Sequence, residues 1–119
     1  MHPLINAIKH EHLDVVEMLL THGAIPQQID IITAIDICNF DIADLLLNTY
    51  EYTQLNKHLF HHCKHGNIRQ IEYILTKPNI NINTTDKDYT TPIAIACLHN
   101  HTDIVSLLSK TAIKSSHSF

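Results

Sequence analysis

The sequence TPIAIACLHNHTDIVSLL at residues 91–108 recurs in altered form at two other places in this chain of 119 residues. Residues 2–20 read HPLINAIKHEHLDVVEMLL, and residues 58–75 read HLFHHCKHGNIRQIEYIL. A weaker copy ends with FDIADLLL at residues 40–47. Repetition on this scale predicts an array of similar units, each of which buries its apolar face by stacking against its neighbours.

Each copy predicts two short helices joined by a turn. In the second helix of the first copy, Leu13, Val16 and Leu20 lie on one stripe, and Val15 and Leu19 widen it into a core-facing surface. The same spacing recurs in the third and fourth copies. The first helices are centred on small residues, which allow neighbouring helices to approach closely.

The helix starts carry matching signals. Pro3 and Pro92 suit a first helical turn, where the missing N–H costs nothing. Asp14, Asp41 and Asp103 open second helices, where a carboxylate interacts favourably with the helix dipole.

With these residues in register, the chain resembles the ankyrin-repeat family. That family's unit has a β-hairpin finger, a first helix starting near a Thr-Pro-Leu-His motif, a turn with glycine, and a second helix ending in Leu-Leu and Gly-Ala. Here the motifs are Thr91-Pro92-Ile93, Pro3-Leu4, Lys64-His65-Gly66-Asn67, Asp14-Val15-Val16, Leu19-Leu20-Thr21-His22-Gly23-Ala24 and Asp86-Lys87-Asp88-Tyr89-Thr90-Thr91-Pro92.

The resemblance implies an all-α ankyrin-repeat solenoid with at least one β-hairpin finger, at residues 82–91. We expect one domain over residues 1–119, with units at about 2–26, 29–50, 56–80 and 90–110 and a frayed tail at 111–119. Leu59 follows Leu4 by 55 residues over two units, whereas Cys97 follows Cys63 by 34 in one. The fingers before units two and three are therefore shortened or missing, and the first helix of unit two fits in two registers.

The resemblance also implies a function, that of a protein–protein interaction module without enzymatic activity. The family binds partners on a concave face made by the finger tips and the exposed side of the first helices. Carried over by register, the partner-binding positions are Lys9, His10, Lys64, His65, Lys87, Asp88, Thr90, Leu98 and His99. Tyr89 stands where the finger's glycine has a positive φ, so we expect it to be strained there.

Composition excludes several other classes. Hydrophobic residues make up 45% and charged residues 17%, which is typical of a folded domain. The formal net charge of −4 argues against nucleic-acid binding, and no apolar run is long enough to span a membrane. Residues 1–50 hold one lysine and seven acidic residues, whereas residues 51–119 hold seven basic and five acidic residues. The two glycines exclude a glycine-rich phosphate loop.

The cysteines indicate a reducing compartment. Cys38, Cys63 and Cys97 form no Cys-x-x-Cys pair, and no signal peptide precedes them, so we expect a cytoplasmic location. Cys63 and Cys97 lie at equivalent positions in adjacent units. Stacked helices lie about 8–10 Å apart, too far for a disulfide, so both are predicted to be free, buried thiols.

The eleven histidines follow the repeat and predict no catalytic arrangement. His58 and His62 lie four residues apart, as do His61 and His65, and such pairs can bind zinc. No glutamate sits between them in a His-Glu-x-x-His pattern, so a metalloprotease site is excluded. We assign no metal, cofactor or catalytic residue, and keep a His-rich metal-binding segment at 58–65 as an alternative.

The cellular setting comes from the family resemblance and from a composition rich in isoleucine and asparagine. Both fit a host-directed effector of an intracellular bacterium or a large virus, delivered into a host cell. We expect a monomer whose partner is another protein. A second alternative is a targeting domain cut from a larger enzyme.

Overall fold

A computed structural model describes residues 3–49, 55–78 and 80–116, with only the backbone over 112–116. Within these ranges the chain is helical and has no β-strand, which confirms the all-α class. The helices are α1 (Pro3–Lys9), α2 (Leu13–Thr21), α3 (Gln28–Asp36), α4 (Phe40–Thr49), α5 (Leu55–His65), α6 (Ile68–Leu75), α7 (Pro92–Leu98) and α8 (Thr102–Ser116).

The helices form two compact units, Met1–Tyr52 and Thr53–Phe119, and each holds two stacked helix pairs. In the first unit α1 packs on α2 and α3, while α4 packs on α3 and α2. In the second unit α5 packs on α6 and α7, while α8 packs on α7 and α6. First helices therefore stack on first helices and second helices on second helices. The single domain over residues 1–119 and its four unit boundaries stay predictions.

Apolar residues at helical spacing form the core of each unit. Full burial of such a side chain contributes about 1.5–3 kcal/mol relative to exposure. The largest fully buried ones are Leu4, Ile8, Ile31, Ile35, Ile42 and Leu46 in the first unit, and Leu59, Ile71, Ile74, Ile104 and Leu108 in the second.

Val15 was expected in the core but is 43% exposed. Its equivalents in the second helices of the next and the last pairs, Ile42 and Ile104, are 0% exposed. Those two residues are on helices that pack against a preceding second helix, since α4 packs on α2 and α8 packs on α6. The burial of this position therefore depends on a preceding pair and not on the residue's own helix.

The cysteine prediction is half right. All three thiols are free, and Cys63 is buried as expected. Cys97, however, is exposed. The equivalent residues Ile8 and Cys63 lie on α1 and α5, which pack on the next first helix, α3 and α7 respectively. In the described residues no further first helix covers Cys97 on α7.

The β-hairpin predicted for residues 82–91 is wrong, because that segment contains no strand. Instead, the chain closes a tight turn with a hydrogen bond from the Asp86 N–H to the Thr90 carbonyl oxygen at 3.1 Å. Asp86 Oδ1 accepts the N–H groups of Asp88 at 2.8 Å and Thr90 at 3.0 Å. A carboxylate that captures local amides in this way competes with a strand ladder.

The C-terminal helix extends into the residues assigned to a frayed tail. Helix α8 continues to Ser116, so the backbone of residues 111–116 is helical. Residues 117–119 lie outside the described residues.

Candidate functional site

Backbone turns fix the register of the candidate positions. Between the two helices of every pair, one residue has a positive φ: Glu11 at 58°, Cys38 at 61°, Gly66 at 75° and Asn100 at 60°. These four residues are therefore structurally equivalent. The two residues before each of them are the end of a first helix and the next residue, except before Gly66, where both still belong to α5.

Six of the nine predicted residues occupy these equivalent places. Lys9 and His10 precede Glu11, and the other four are the corresponding pairs in the second unit. All six are exposed, as a binding surface requires. They are Lys9, His10, Lys64, His65, Leu98 and His99.

The structure adds two residues that sequence reasoning missed. Asp36 and Ile37 precede Cys38, and therefore take in the first unit the places of Lys9 and His10. Both are exposed, Ile37 by 38%. The ambiguity in unit two arose because cysteine gives no signal for a positive φ. The residue that could have fixed the register is Asn39, a type that favours the start of a helix. Its Oδ1 accepts the Ile42 N–H at 3.2 Å at the start of α4.

The remaining three predicted residues lie on the turn before α7. Lys87 and Asp88 are exposed. Thr90 is half-buried and takes part in closing the turn with Asp86, so its first role is structural. Tyr89 between them is 86% exposed and has a φ of 61°, which confirms the expected positive φ. An aromatic side chain held out in this way is a candidate contact that the prediction left out.

The candidate residues at the ends of the first helices fall into two groups, one in each compact unit. Lys9, His10, Asp36 and Ile37 lie on α1 and α3 or directly after them, and these helices pack together. Lys64, His65, Leu98 and His99 are placed in the same way on the packed helices α5 and α7.

His101 holds the second group in place. Its Nε2–H donates to the Lys64 carbonyl oxygen at 3.0 Å, which ties the start of α8 to the end of α5. A Cβ on Gly66 would come within 2.8 Å of the His101 ring, so glycine is needed there for space as well as for its φ of 75°. The turn that presents Lys64 and His65 is therefore fixed by side-chain packing.

His62 belongs to the core of the second unit. It is 2% exposed and stands where the other three pairs have Ala7, Ala34 and Ala96. Burial, followed by the nearby charges of His61, His58 and His65, lowers the pKa of His62 from 6.5 to about 4. The Asn67 amide lies 3.0 Å from Nδ1 and donates to it, because the neutral imidazole can accept there. His62 is therefore a neutral, hydrogen-bonded core residue at neutral pH.

Cys63 lies in α5 directly before the second group and is buried. Burial raises the pKa of the Cys63 thiol to about 12, so this thiol is not a nucleophile at neutral pH. In residues 3–49, 55–78 and 80–116, no three or more His, Cys, Asp or Glu side chains come together as a metal site would require. No helix among the described residues has the length and apolar character needed to cross a membrane.

Comparison with known proteins places the chain. A family model for ankyrin repeats in three copies matches residues 31–117, and a model for a single ankyrin repeat matches residues 1–31. The chain belongs to the ankyrin-repeat family. Ankyrin repeats are generally protein–protein interaction modules and are typically not enzymes. No curated protein matches the chain by sequence.

Proposed function

We propose that the chain binds a partner protein through the exposed ends of its first helices and the turn before α7. The residues proposed to contact a partner, in one compact unit or the other, are the nine predicted positions together with Asp36, Ile37 and Tyr89. Binding requires no covalent chemistry, and its specificity comes from the side chains at these places.

The exposure of Leu98 is the observation that carries this proposal. Leu98 is 75% exposed at the last residue of α7, while the equivalent residues Lys9 and Lys64 are charged. Moving such an apolar side chain from water into a partner's pocket contributes about 1–2 kcal/mol to binding. Flanking polar residues, here His99, are typical of the rim around such an anchor.

Rigidity of the backbone around Leu98 supports the proposal. The N–H groups of His99, Asn100 and His101 donate to the carbonyl oxygens of Ile95, Cys97 and Ala96 at 3.2, 3.1 and 2.9 Å. A surface that is ordered before it binds loses less conformational entropy when the partner arrives.

The proposal includes a host protein as the partner and a role as a host-directed effector. The composition rich in isoleucine and asparagine supports an AT-rich source such as an intracellular bacterium or a large virus. This part of the proposal determines the lysate that the experiment uses.

A quantitative pull-down from host-type cell lysate tests the surface. The wild-type chain is compared with a variant that changes the second group, Lys64→Glu/His65→Ala/Leu98→Ala/His99→Ala. The matched control changes exposed residues on the second helices of the same unit, Arg69→Ala/Glu72→Ala/Ser106→Ala. Circular dichroism first establishes that both variants have the helicity of the wild type.

We expect a protein that the wild type and the control enrich, and that the Leu98 variant loses. Equal enrichment by all three proteins contradicts the placement of the surface in the second unit. In that case Lys9→Glu/His10→Ala/Asp36→Ala/Ile37→Ala examines the first group, and retention by that variant as well overturns the proposal.

A further inference from the structure

Two exposed histidines lie one helical turn apart near the end of α5. His61 and His65 are four residues apart, and their ring centroids are separated by 4.6 Å with the planes at 54°. We propose that this pair chelates one divalent transition-metal ion, Cu²⁺ or Ni²⁺, with two protein ligands. The proposal rests on α5 alone; His65 also belongs to the proposed partner surface, but metal binding is measured on the chain without a partner.

The separation of the rings fits chelation. A metal ion about 2.0–2.1 Å from a nitrogen of each ring lies about 3.2 Å from each ring centroid. Ligands at adjacent corners of a square, about 90° apart, then place the centroids about 4.5 Å from one another. The observed 4.6 Å between His61 and His65 agrees with this value. A tetrahedral angle requires about 5.2 Å, so the observed separation lies nearer to that of the square geometry adopted by Cu²⁺ and Ni²⁺.

Two other histidine pairs among the described residues are too wide. The ring centroids of His10 and His12 are 6.0 Å apart, and those of His99 and His101 are 6.2 Å apart. Such separations correspond to ligand angles of about 140–150°, which match neither a square nor a tetrahedron. The Nε2 of His101 is also engaged by the Lys64 carbonyl oxygen.

The neighbouring His62 does not serve as a third ligand. Its ring centroid is 5.2 Å from that of His61, but the ring is buried and its Nδ1 accepts from Asn67. Since the described residues hold no cluster of three or more ligands, water or a group from another molecule completes the coordination. Imidazole nitrogens are ligands that Cu²⁺ and Ni²⁺ bind readily.

Calorimetric titration with Cu²⁺ in a non-coordinating buffer tests the site, with electron paramagnetic resonance of the one-to-one complex to detect coordinated nitrogen. All four proteins carry His2→Ala, which removes an imidazole near the terminal amine. The reference protein has no other change and is called wild type here; the others add His61→Ala, His65→Ala or the control pair His10→Ala/His12→Ala. We expect either single substitution on α5 to raise the Kd by roughly tenfold or more. The control is expected to bind as the wild type does.

A rescue variant separates chelation from a structural effect. Lys57 is exposed on α5 four residues before His61. Adding Lys57→His to the His65→Ala protein rebuilds a pair with the same spacing and should restore most of the lost affinity. Equal Kd values for the wild type and His65→Ala, or a loss confined to the His10→Ala/His12→Ala protein, overturn the proposal.

Discussion

Tyr89 shows how a single residue stores strain in this chain. Its φ of 61° costs a side chain with a Cβ about 1–2 kcal/mol, whereas glycine adopts this conformation freely. Because the ring is 86% exposed, its removal loses little packing. We expect Tyr89→Gly to raise the free energy of unfolding by roughly 0.5–1 kcal/mol, after the greater flexibility of glycine in the unfolded chain is offset. Urea unfolding followed by circular dichroism measures this change.

Tyr89→Ala is the control for that measurement, since it removes the ring but keeps the Cβ. It should leave the stability near that of the wild type. A lower unfolding midpoint for Tyr89→Gly than for the wild type would show that the ring stabilises the turn more than its φ destabilises it.

Gly66 is the reverse case. It has a φ of 75°, and a Cβ built on it lies 2.8 Å from Cε1 of His101. Gly66→Ala therefore adds both backbone strain and a clash with the ring that binds the Lys64 carbonyl. We expect it to lower the free energy of unfolding by at least about 1–2 kcal/mol. The comparison is Asn100→Gly at the equivalent turn, which should be stabilising. An unchanged unfolding midpoint for Gly66→Ala would contradict the clash.

Helix α5 carries a histidine where each other first helix carries alanine, and this makes one element sensitive to acid. The pKa of His62 falls from 6.5 to about 4 on folding, mainly through burial. Between these two values the unfolded chain binds a proton that the folded chain does not. The stability that depends on neutral His62 is therefore complete above about pH 6.5 and is lost progressively as the pH falls to about 4. The total loss is on the order of 3 kcal/mol.

Urea unfolding at pH 7.5, 6, 5 and 4.5 measures this loss. Since carboxyl groups also titrate in the lower part of the range, the informative quantity is the difference between wild type and His62→Ala. The wild type should lose more stability than His62→Ala over this range, while the control His10→Ala, at an exposed site in the other compact unit, should follow the wild type. Parallel pH profiles for wild type and His62→Ala would exclude the buried imidazole as the cause.

The start of α7 illustrates how far an element can be predicted from its residues. Thr91 Oγ1 accepts the Ala94 N–H at 3.3 Å and Pro92 opens the helix, as the Thr-Pro motif predicts. The turn of unit two was not predictable in the same way, because Cys38 at a positive φ is unusual for its residue type. The prediction of a β-hairpin at residues 82–91 was wrong for another reason. The pattern of residues does not show that the N–H groups of Asp88 and Thr90 donate to the Asp86 carboxylate and not to a neighbouring strand.

Within each compact unit, the burial of an apolar side chain depends on whether a neighbouring helix pair covers its helix. The pattern of apolar residues predicted Val16, Ile71 and Ile104 as core residues correctly. It failed at Val15 and Cys97, because helical periodicity identifies an apolar face but not whether another pair covers it. The candidate site followed the same logic. Its register was predictable from the repeat, whereas the exposed Tyr89 was visible only once the turn was built.

Truncating the same residue at the same repeat position should therefore lower the free energy of unfolding by different amounts in different helix pairs. Val16 on α2 and Val105 on α8 are equivalent by register; Val16 is 0% exposed, and Val105 is only half-buried. Helix α2 is followed by α4, which packs on it.

Truncation of a buried valine leaves a cavity as well as lost apolar burial, so Val16→Ala should cost about 2 kcal/mol of unfolding free energy. Val105→Ala should cost about half of that or less, since water already reaches its side chain. Urea unfolding of both variants, with the slope against urea concentration unchanged from wild type, gives the comparison. Equal costs would mean that each pair is stabilised from within and that stacking adds little, which the burial of Ile42 and Ile104 against preceding helices argues against.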